Sequence, residues 1–205
     1  MDTKFSQLLM TPEEQNAMVQ ESFASHQELL TYLLDHCILL QVDWKGEEEE
    51  QQIGRFLQDR AAILLPGTSI DIETPYTKLR EAVSEGNIDV GDSVPLLLKN
   101  FQSQQKKTDL TVVLLDIGND SYYIGLIKQS DTAKLKKQAG LGWRFTAFGS
   151  LTGEVLYTVN CDCGSMNVWQ VKRGEKLTDD VCQDCGKQIF DEEGHSSFQV
   201  VKDYI

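Results

Sequence analysis

The sequence predicts an α+β fold, with α/β as the alternative, in which N-terminal helices pack on a small antiparallel or mixed sheet and a separate β lobe follows. Three observations support this prediction. Helix-capping patterns open several apolar segments in the first half. Two β-rich runs, Thr111–Ile117 and Ser121–Ile127, are separated by a short turn, and four of the 5 cysteines fall close together near the C-terminus. The 205 residues, 40% of them apolar, can bury a full core in one or two domains.

Two capping patterns predict the first two helices. Thr11 is the expected N-cap, Pro12 occupies the first helical position, and Glu14 completes a capping box. Ser25 and Glu28 repeat the pattern. The apolar residues that follow share one helical face, namely Leu29, Leu30, Tyr32, Leu33 and Leu34.

Four consecutive glutamates, Glu47 to Glu50, precede the apolar residues Ile53, Phe56 and Leu57. Negative charge is favourable in the first turn of a helix because it complements the helix dipole. The segment therefore predicts a third helix with the glutamates in its solvated first turn. An acidic docking patch is the alternative interpretation, but the solvated turn is favoured, and no function is assigned to the run.

The middle of the chain predicts two more helices and a hairpin. Thr74-Pro75 and Asp92-Ser93 each open a helical segment, and the second segment carries the apolar residues Val94, Leu96, Leu97, Leu98 and Phe101. Gly118-Asn119-Asp120 joins the two β-rich runs, which is a strong hairpin signal. We expect the helices to pack on the sheet that this hairpin forms.

Two elements complete the predicted main domain. Ser130-Asp131 is expected to cap a short helix that ends near Gly140, and Trp143–Phe148 predicts a further strand. The predicted domains are residues 1–150, a helical α+β domain, and residues 151–205, the C-terminal β lobe.

The clustered cysteines form two knuckles, Cys161-Asp162-Cys163-Gly164 and Cys182-Gln183-Asp184-Cys185-Gly186. Two such pairs predict a four-thiolate zinc ribbon with the metal ligands Cys161, Cys163, Cys182 and Cys185. Four protein ligands leave no open position for water or substrate, so the predicted cofactor is structural Zn²⁺. A dithiol redox pair and disulfides are less favoured alternatives.

The first knuckle is one residue tighter than the usual spacing of zinc ligands. Residues i and i+2 of an extended segment project to the same face, so Cys161 and Cys163 can converge at the end of the predicted strand Glu154–Val159. A glycine follows each pair and can adopt the positive φ that turns the backbone back toward the sulfurs. His195 is the alternative ligand in case the short knuckle fails to supply both sulfurs.

No secretory leader pattern opens the chain at Met1, so we expect a mature, cytoplasmic protein. In a reducing compartment, paired cysteines are more often metal ligands than disulfides. Cys37 follows His36 directly, and adjacent helical positions point about 100° apart. We therefore expect Cys37 to be a buried thiol and not half of a catalytic pair.

Composition excludes several classes of function. No apolar stretch approaches the roughly 20 residues that cross a bilayer. The net charge of −13 opposes binding to phosphate backbones and favours a basic protein partner or good solubility. No P-loop, dinucleotide-binding turn or glycine-framed serine occurs, so nucleotide enzymes and serine hydrolases are disfavoured.

Asp43-Trp44-Lys45 with its following acids, Asp116–Tyr122 with its Asp-Ser-Tyr motif, and a helix running to Gly140 resemble a family of bacterial domains of unknown function. The resemblance covers about residues 30–148 and implies an α/β fold without implying an activity. A zinc ribbon is not expected of the core of that family. The chain is thus interpreted as a family domain with a metal-stabilised extension.

Asp43, Asp116 and Asp120 are candidate ligands of a hard cation such as magnesium, whose bound water could attack an ester or phosphoester. The alternative is structural, because Asp43 would end a strand, Asp120 would lie in a hairpin turn, and Asp116 would flank it. The structural interpretation is favoured. Whether the three carboxylates converge in space depends on the fold.

The ribbon loop offers a second site hypothesis, in which Trp169 stacks on a base beside Lys172, Arg173 and Lys176. Trp169 can equally pack over the knuckles, and this packing role is favoured because the acidic chain repels polyanions.

The sequence therefore favours a non-enzymatic, zinc-stabilised protein-binding module whose acidic surface engages another protein. One concrete version is an inhibitor or immunity-type protein that covers a basic toxin or nuclease, since charge complementarity speeds such association. A metal-dependent hydrolase and a ribbon-mediated nucleic-acid binder are the alternatives. The oligomeric state is not predicted.

Overall fold

The computed structural model describes residues 4–88, 91–105, 108–135, 143–149, 154–172 and 174–204. The chain divides into two compact units, Met1–Phe148 and Gly149–Ile205. The predicted domain boundary between residues 150 and 151 lies outside the described residues. Within the described ranges, no helix combines the length and the hydropathy that a membrane span requires.

Three helices open the first unit: α1 Lys4–Leu8, α2 Pro12–Val19 and α3 His26–Asp35. Helix α1 was not predicted. Helix α2 has the predicted capping box, because the N–H of Glu14 donates to Thr11 Oγ1 (3.2 Å) and the N–H of Thr11 donates to Glu14 Oε2 (2.8 Å).

Ser25 caps α3 as predicted, accepting a hydrogen bond from the N–H of Glu28 at 3.2 Å. The reciprocal hydrogen bond of the capping box differs, because the Glu28 carboxylate accepts from the N–H of Ala24 (2.9 Å) instead of the N–H of Ser25. The capping pattern thus located both helix starts.

Helix α4 spans Gln52–Leu64, so the prediction that the glutamate run forms its first turn was wrong. Gln51 has a left-handed backbone (φ 56°) and makes no side-chain cap. Glu47 caps the helix instead, since its Oε1 accepts the N–H of Ile53 at 2.6 Å. A turn at Glu50 and Gln51 separates the glutamates from the helix and leaves the Glu47 carboxylate at the helix N-terminus.

The next two helices are α5 Glu73–Ser84 and α6 Ser93–Gln105, which begin within a residue of the predicted openings. A 3₁₀ turn at Gln129–Asp131 runs directly into the short helix α7 Thr132–Leu135. Ser130 and Asp131 lie inside the turn, and the short helix begins directly after them as predicted, while their capping role stays a prediction. The predicted end of this helix near Gly140 lies outside the described residues.

Four antiparallel strands form the sheet of the first unit, in the order β1-β3-β2-β4. They are β1 Leu40–Asp43, β2 Leu110–Asp116, β3 Ser121–Lys128 and β4 Arg144–Ala147. Strands β2 and β3 form the predicted hairpin, with Val113 opposite Gly125. The sheet is therefore antiparallel, which is one of the two predicted forms.

Helices cover both faces of this sheet. One buried cluster joins α4, α5 and α6 to alternate sheet residues, including Leu110, Val112, Ile124 and Leu126. The other joins the first three helices to the intervening sheet residues, including Val113, Leu115, Tyr123 and Ile127. Burial on both faces explains why β2 and β3 are almost continuously apolar.

Gly125 is a point of close packing on the sheet. A Cβ at this position would lie 2.7 Å from Leu9 Cδ2 and 3.0 Å from Leu39 Cδ2. The glycine therefore lets Leu9, which follows α1, and Leu39, which precedes β1, pack directly on β3.

Cys37 is exposed, so the prediction of a buried thiol was wrong. It occupies the left-handed position after the end of α3, with φ 51°. The N–H of Cys37 donates to the carbonyl of Leu34 (3.0 Å) and that of Ile38 to the carbonyl of Leu33 (2.8 Å), which is the Schellman pattern of a helix end. This turn directs the thiol outward.

The second unit contains a three-stranded antiparallel sheet in the order β6-β5-β7. The strands are β5 Glu154–Asn160, β6 Met166–Lys172 and β7 Val200–Tyr204. Its buried cluster is small and includes two cysteines: Val159, Cys161, Leu177, Cys182, Ile189 and Phe190. The helices and the two small sheets together confirm the predicted α+β class.

Candidate metal centre

The fold of the second unit brings the four clustered cysteines together. The first pair follows β5 in the turn to β6, and the second pair lies in the long connection from β6 to β7. Cys161 Sγ lies 3.6 Å from Cys185 Sγ, and Cys163 Sγ lies 3.7 Å from Cys182 Sγ. All four sulfurs lie within 4.8 Å of one another, close enough to hold one metal ion.

The first knuckle is a tight turn, so the expectation of an extended segment at Cys161 and Cys163 was wrong. The N–H of Cys161 donates to the carbonyl of Ser165 (2.8 Å), and the N–H of Gly164 donates to the carbonyl of Cys161 (2.9 Å). Gly164 takes the expected positive φ, at 93°. The turn, and not strand alternation, directs both sulfurs to one point.

The second knuckle repeats this backbone pattern with one residue more. The N–H of Cys182 donates to the carbonyl of Lys187 (2.8 Å), and the N–H of Gly186 donates to the carbonyl of Cys182 (2.9 Å). Gly186 also has a positive φ, at 71°. In both knuckles the glycine N–H bonds the carbonyl of the first cysteine. The first knuckle therefore makes the same turn with one residue fewer between its cysteines.

Backbone N–H groups of the second knuckle point toward sulfur. The N–H of Cys185 lowers the pKa of the Cys182 thiol to about 6, and the side-chain amide of Asn167 acts in the same direction. A sulfur that receives several hydrogen bonds is stabilised as a thiolate. Cys182 therefore ionises to the thiolate more readily than a free cysteine does.

The neighbouring sulfurs make it difficult to ionise all four groups together. The N–H of Ser165 lowers the pKa of Cys163, but hydrogen bonds with the thiols of Cys185 and Cys161 outweigh it and raise that pKa to about 12. Four thiolates at this separation repel one another strongly unless a cation lies between them. The charge balance of the cluster thus favours a bound cation.

Asn167 on β6 connects the two knuckles and was missed by the sequence analysis. Its side chain is buried (4% exposed). Its Nδ2 donates to the carbonyl of Ser165 (3.3 Å) and to Cys182 Sγ (3.6 Å), while its Oδ1 accepts from the N–H of Gln183 (3.1 Å). The available signal was an amide on the inward face of β6, two residues before Trp169.

A lysine carries positive charge beside the cluster. Lys187 Nζ lies 2.5 Å from Asp162 Oδ2 and 5.0 Å from the centre of the Phe198 ring. The hydrogen bond and the charge of Asp162 raise the pKa of Lys187, and the charges of Cys161 and Cys185 act in the same direction. Lys187 therefore stays protonated beside the sulfurs, where negative thiolate charge accumulates.

His195 does not join the cysteines. Its Nδ1 lies 3.6 Å from Asp191 Oδ2 and 3.6 Å from Glu193 Oε2. Its side chain is exposed, so the alternative in which His195 replaces a cysteine ligand is not supported. Over the described part of the chain, only the four cysteines form a group of His, Cys, Asp or Glu ligand atoms compact enough for a metal.

Trp169 packs inward against the cysteine-containing cluster. Its ring meets Phe190 edge to face, with the ring centres 5.4 Å apart. Lys172 is exposed and lies three positions further along β6, so the two side chains point to opposite faces of the sheet. The arrangement supports the packing role, whereas Arg173 lies outside the described residues.

Asp43, Asp116 and Asp120 lie at one end of the first sheet, where the carboxylates of the first two make separate contacts. Asp43 Oδ1 accepts the N–H of Lys45 (2.9 Å), and Asp116 Oδ1 accepts the N–H of Gly118 (2.9 Å). They form no compact ligand group within the described residues. The contacts of Asp43 and Asp116 support the favoured structural interpretation, in which these aspartates stabilise turns.

The two segments behind the predicted family resemblance meet at this end of the sheet. The N–H of Trp44 donates to the carbonyl of Asp120 (3.1 Å), and Asp43 pairs with Ser121. A family model described as a domain of unknown function, DUF6630, matches residues 4–148. The match exceeds half of the chain, and the protein belongs to the DUF6630 family.

The family assignment confirms the expected resemblance to a domain family of unknown function. The use of Asp43-Trp44-Lys45 and the Asp-Ser-Tyr segment as its motifs stays a prediction. The cysteine cluster lies beyond the matched residues. No curated protein and no solved structure matches the chain.

Proposed function

We propose that the C-terminal unit is a structural zinc ribbon, and that the whole chain is a non-enzymatic binding protein for a basic protein partner. The observation that carries the proposal is the arrangement of the four cysteine sulfurs. The acidic composition of the chain supports the choice of partner.

The spacing of the sulfurs fits zinc. At a Zn–S distance of about 2.3 Å, the corners of a tetrahedral site are about 3.8 Å apart. Two of the Sγ–Sγ distances, 3.6 and 3.7 Å, are close to this value. Thiolates also select zinc over magnesium, calcium or manganese, and four of them complete its coordination.

A structural metal would supply folding free energy to the second unit. The buried cluster of that unit has only six members, two of which are cysteines. Small apolar cores usually need a metal or disulfides to hold their fold. Cys161, Cys163, Cys182 and Cys185 would hold the ion, while Asn167 and the knuckle amides orient the sulfurs.

Charge supports a basic partner. The chain carries a net charge of −13, and its acidic excess is present on both sides of residue 154. Complementary charge accelerates association and suppresses binding to acidic competitors. An inhibitor or immunity-type protein that covers a basic toxin or nuclease is one form that this function can take.

Metal analysis tests the zinc ribbon. Protein purified without added metal should contain about one zinc per chain, with four thiols protected and Cys37 titrating freely. Cys182→Ser should unfold the second unit while the first unit stays folded, whereas Cys37→Ser is the matched control. Absence of zinc with five titratable thiols would contradict the ribbon.

Affinity capture tests the partner class. The immobilised full-length protein should retain proteins of high isoelectric point from native lysate at low salt. Retention should fall as salt rises, because charge steering is screened at a Debye length of about 8 Å near physiological salt. Recovery of no protein, or of acidic proteins alone, would contradict a basic partner.

A further inference from the structure

A pocket of about 590 Å³ lies beside α3 in the first unit. We name it the Tyr32 pocket and define it by six of its lining residues: Glu21, Phe23, Glu28, Tyr32, Asp35 and His36. None of the described residues that line it is a lysine or arginine. The site assigned to the cysteines and the sites considered for the aspartates do not include it.

Three aromatic rings build one side of the pocket. Phe23 meets Tyr32 at 68° with the ring centres 5.3 Å apart. His36 stacks on Tyr32 with the centres 4.0 Å apart, and its Nδ1 lies 2.9 Å from the carbonyl oxygen of Tyr32. His36 thereby holds the Tyr32 ring, while Phe23 and Tyr32 form a steep corner.

The half-buried Phe23 and Tyr32 rings are also anchored from below, since both pack against the buried cluster under α3. Rings fixed in this way need little reorganisation when a ligand contacts them. The aromatic corner is therefore a feature of the folded unit, and not a transient arrangement of surface side chains.

Carboxylates surround the aromatic corner. Glu28 is held by the N–H of Ala24 (2.9 Å), whereas no hydrogen bond to the carboxylates of Glu21 and Asp35 occurs within the described residues. Burial raises the pKa of the Tyr32 phenol, and the charges of Glu21 and Glu14 raise it further. The ring thus lies in a negative electrostatic potential.

Aromatic faces attract cations through the ring quadrupole, and nearby carboxylates add direct charge attraction. A steep corner suits a compact ammonium group better than a planar guanidinium, which stacks flat on one ring. By contrast, the second acidic pocket, near Glu47 to Glu50, contains Arg80 among its lining residues. The Tyr32 pocket is the better cation site of the two.

We propose that the Tyr32 pocket binds the ammonium group of a lysine side chain on the basic partner protein. This inference rests on the proposed function, because it names the contact through which that partner is recognised. Because His36 covers one face of Tyr32, the ammonium group would contact the opposite face of Tyr32 and the ring of Phe23, with the carboxylates balancing its charge and the lysine stem lying along α3.

The test uses full-length protein and two short peptides, acetyl-Gly-Gly-Lys-Gly-Gly-amide and the same peptide with norleucine, the neutral isostere of lysine. NMR titration should show saturable shifts at the amides of Phe23 and Tyr32 with the lysine peptide alone. Equal shifts from both peptides, or shifts confined to other parts of the protein, would overturn the proposal.

Variants give the second readout. Tyr32→Leu should weaken binding of the lysine peptide about two- to fivefold, the range of an exposed cation–π contact. Glu21→Gln should weaken it by up to about fivefold, the range of an exposed ion pair. Glu81→Gln removes one exposed charge on α5 and is the matched control, which should bind as the wild type does. Glu21 is exposed, so its variant remains informative if Tyr32→Leu unfolds. Unchanged affinity in Glu21→Gln would refute the charge contribution on which the site depends.

Choline distinguishes a lysine side chain from a free small cation. Binding of choline more than about tenfold tighter than the lysine peptide would overturn the assignment to lysine. The two proposals also fail separately. Capture of a basic partner that Tyr32→Leu retains fully would refute the pocket alone, whereas peptide binding without any captured partner would refute the proposed function.

Discussion

Replacing Asn167 by alanine should loosen both cysteine knuckles without removing any sulfur. The variant deletes the acceptor of the Gln183 N–H, which now bonds Asn167 Oδ1 at 3.1 Å. Gln183 is exposed and this bond is part-buried, so the freed N–H can bond water and the loss costs about 0.5–1.5 kcal/mol. The two longer contacts of Nδ2, to Ser165 and Cys182, together add about 1 kcal/mol, so we expect a total of about 1.5–2.5 kcal/mol.

Hydrogen exchange of the full-length protein measures this loss locally. A change of about 1.5–2.5 kcal/mol corresponds to roughly ten- to seventyfold faster exchange at the amides of Cys182 and Gly186. In the zinc-bound form that we propose, zinc release to a chelator should accelerate in parallel, because Asn167 orients a candidate ligand without coordinating the metal.

Asn160→Ala is the matched control. Asn160 ends β5 and is exposed, so its loss should change stability by less than about 0.5 kcal/mol. If Asn167→Ala exchanges and releases zinc as slowly as Asn160→Ala, the bridge between the knuckles contributes nothing and the reasoning is refuted.

Three further predictions concern the first unit. Arg60 is 1% exposed and bonds Glu14 at 2.5 and 3.1 Å, so Glu14→Gln should cost about 2–4 kcal/mol in urea unfolding. Burial alone would raise the pKa of Glu14, but the hydrogen bond and charge of Arg60 lower it below 4.5. The stability of the wild type should therefore fall as the pH drops from 4.5 through this lowered pKa, and the variant should not show this dependence. Burial raises the pKa of Glu47 above 4.5. The free energy of unfolding of the wild type should therefore decrease as the pH rises from 4.5 through this raised pKa, and Glu47→Gln should reduce the decrease. Cys37→Gly should stabilise by about 0.5–1 kcal/mol in thermal unfolding because glycine accepts the left-handed backbone, whereas Cys37→Ala should not.

The fold elements that local sequence patterns specify were predicted well. The capping box at Thr11 and Glu14, the hairpin between β2 and β3, and the two glycines after the cysteine pairs all depend on residues a few positions apart. Such interactions involve short loops and predictable backbone geometry. The spacing of the cysteines likewise predicted that they would share one site.

Errors occurred where a turn, and not the helix or strand pattern, sets the direction of a side chain. Glu47 caps α4 because a turn at Glu50 and Gln51 separates the glutamate run from the helix, and Cys37 is exposed because a Schellman turn ends α3. The short knuckle was expected to use strand alternation, but a turn closed by Ser165 directs its sulfurs. In each case, the direction of the backbone decided the role of the residue.

By itself, the sequence determined the α+β class, the starts of most helices, the central hairpin and the four candidate ligands, because periodicity and spacing are local properties. Only the tertiary structure decided that helices cover both faces of the sheet and that Asn167 joins the knuckles. It also decided that Phe23 and Tyr32 form a corner among carboxylates. These contacts depend on strand register and helix packing, which place residues together through the burial of a whole core and not through their neighbours in sequence.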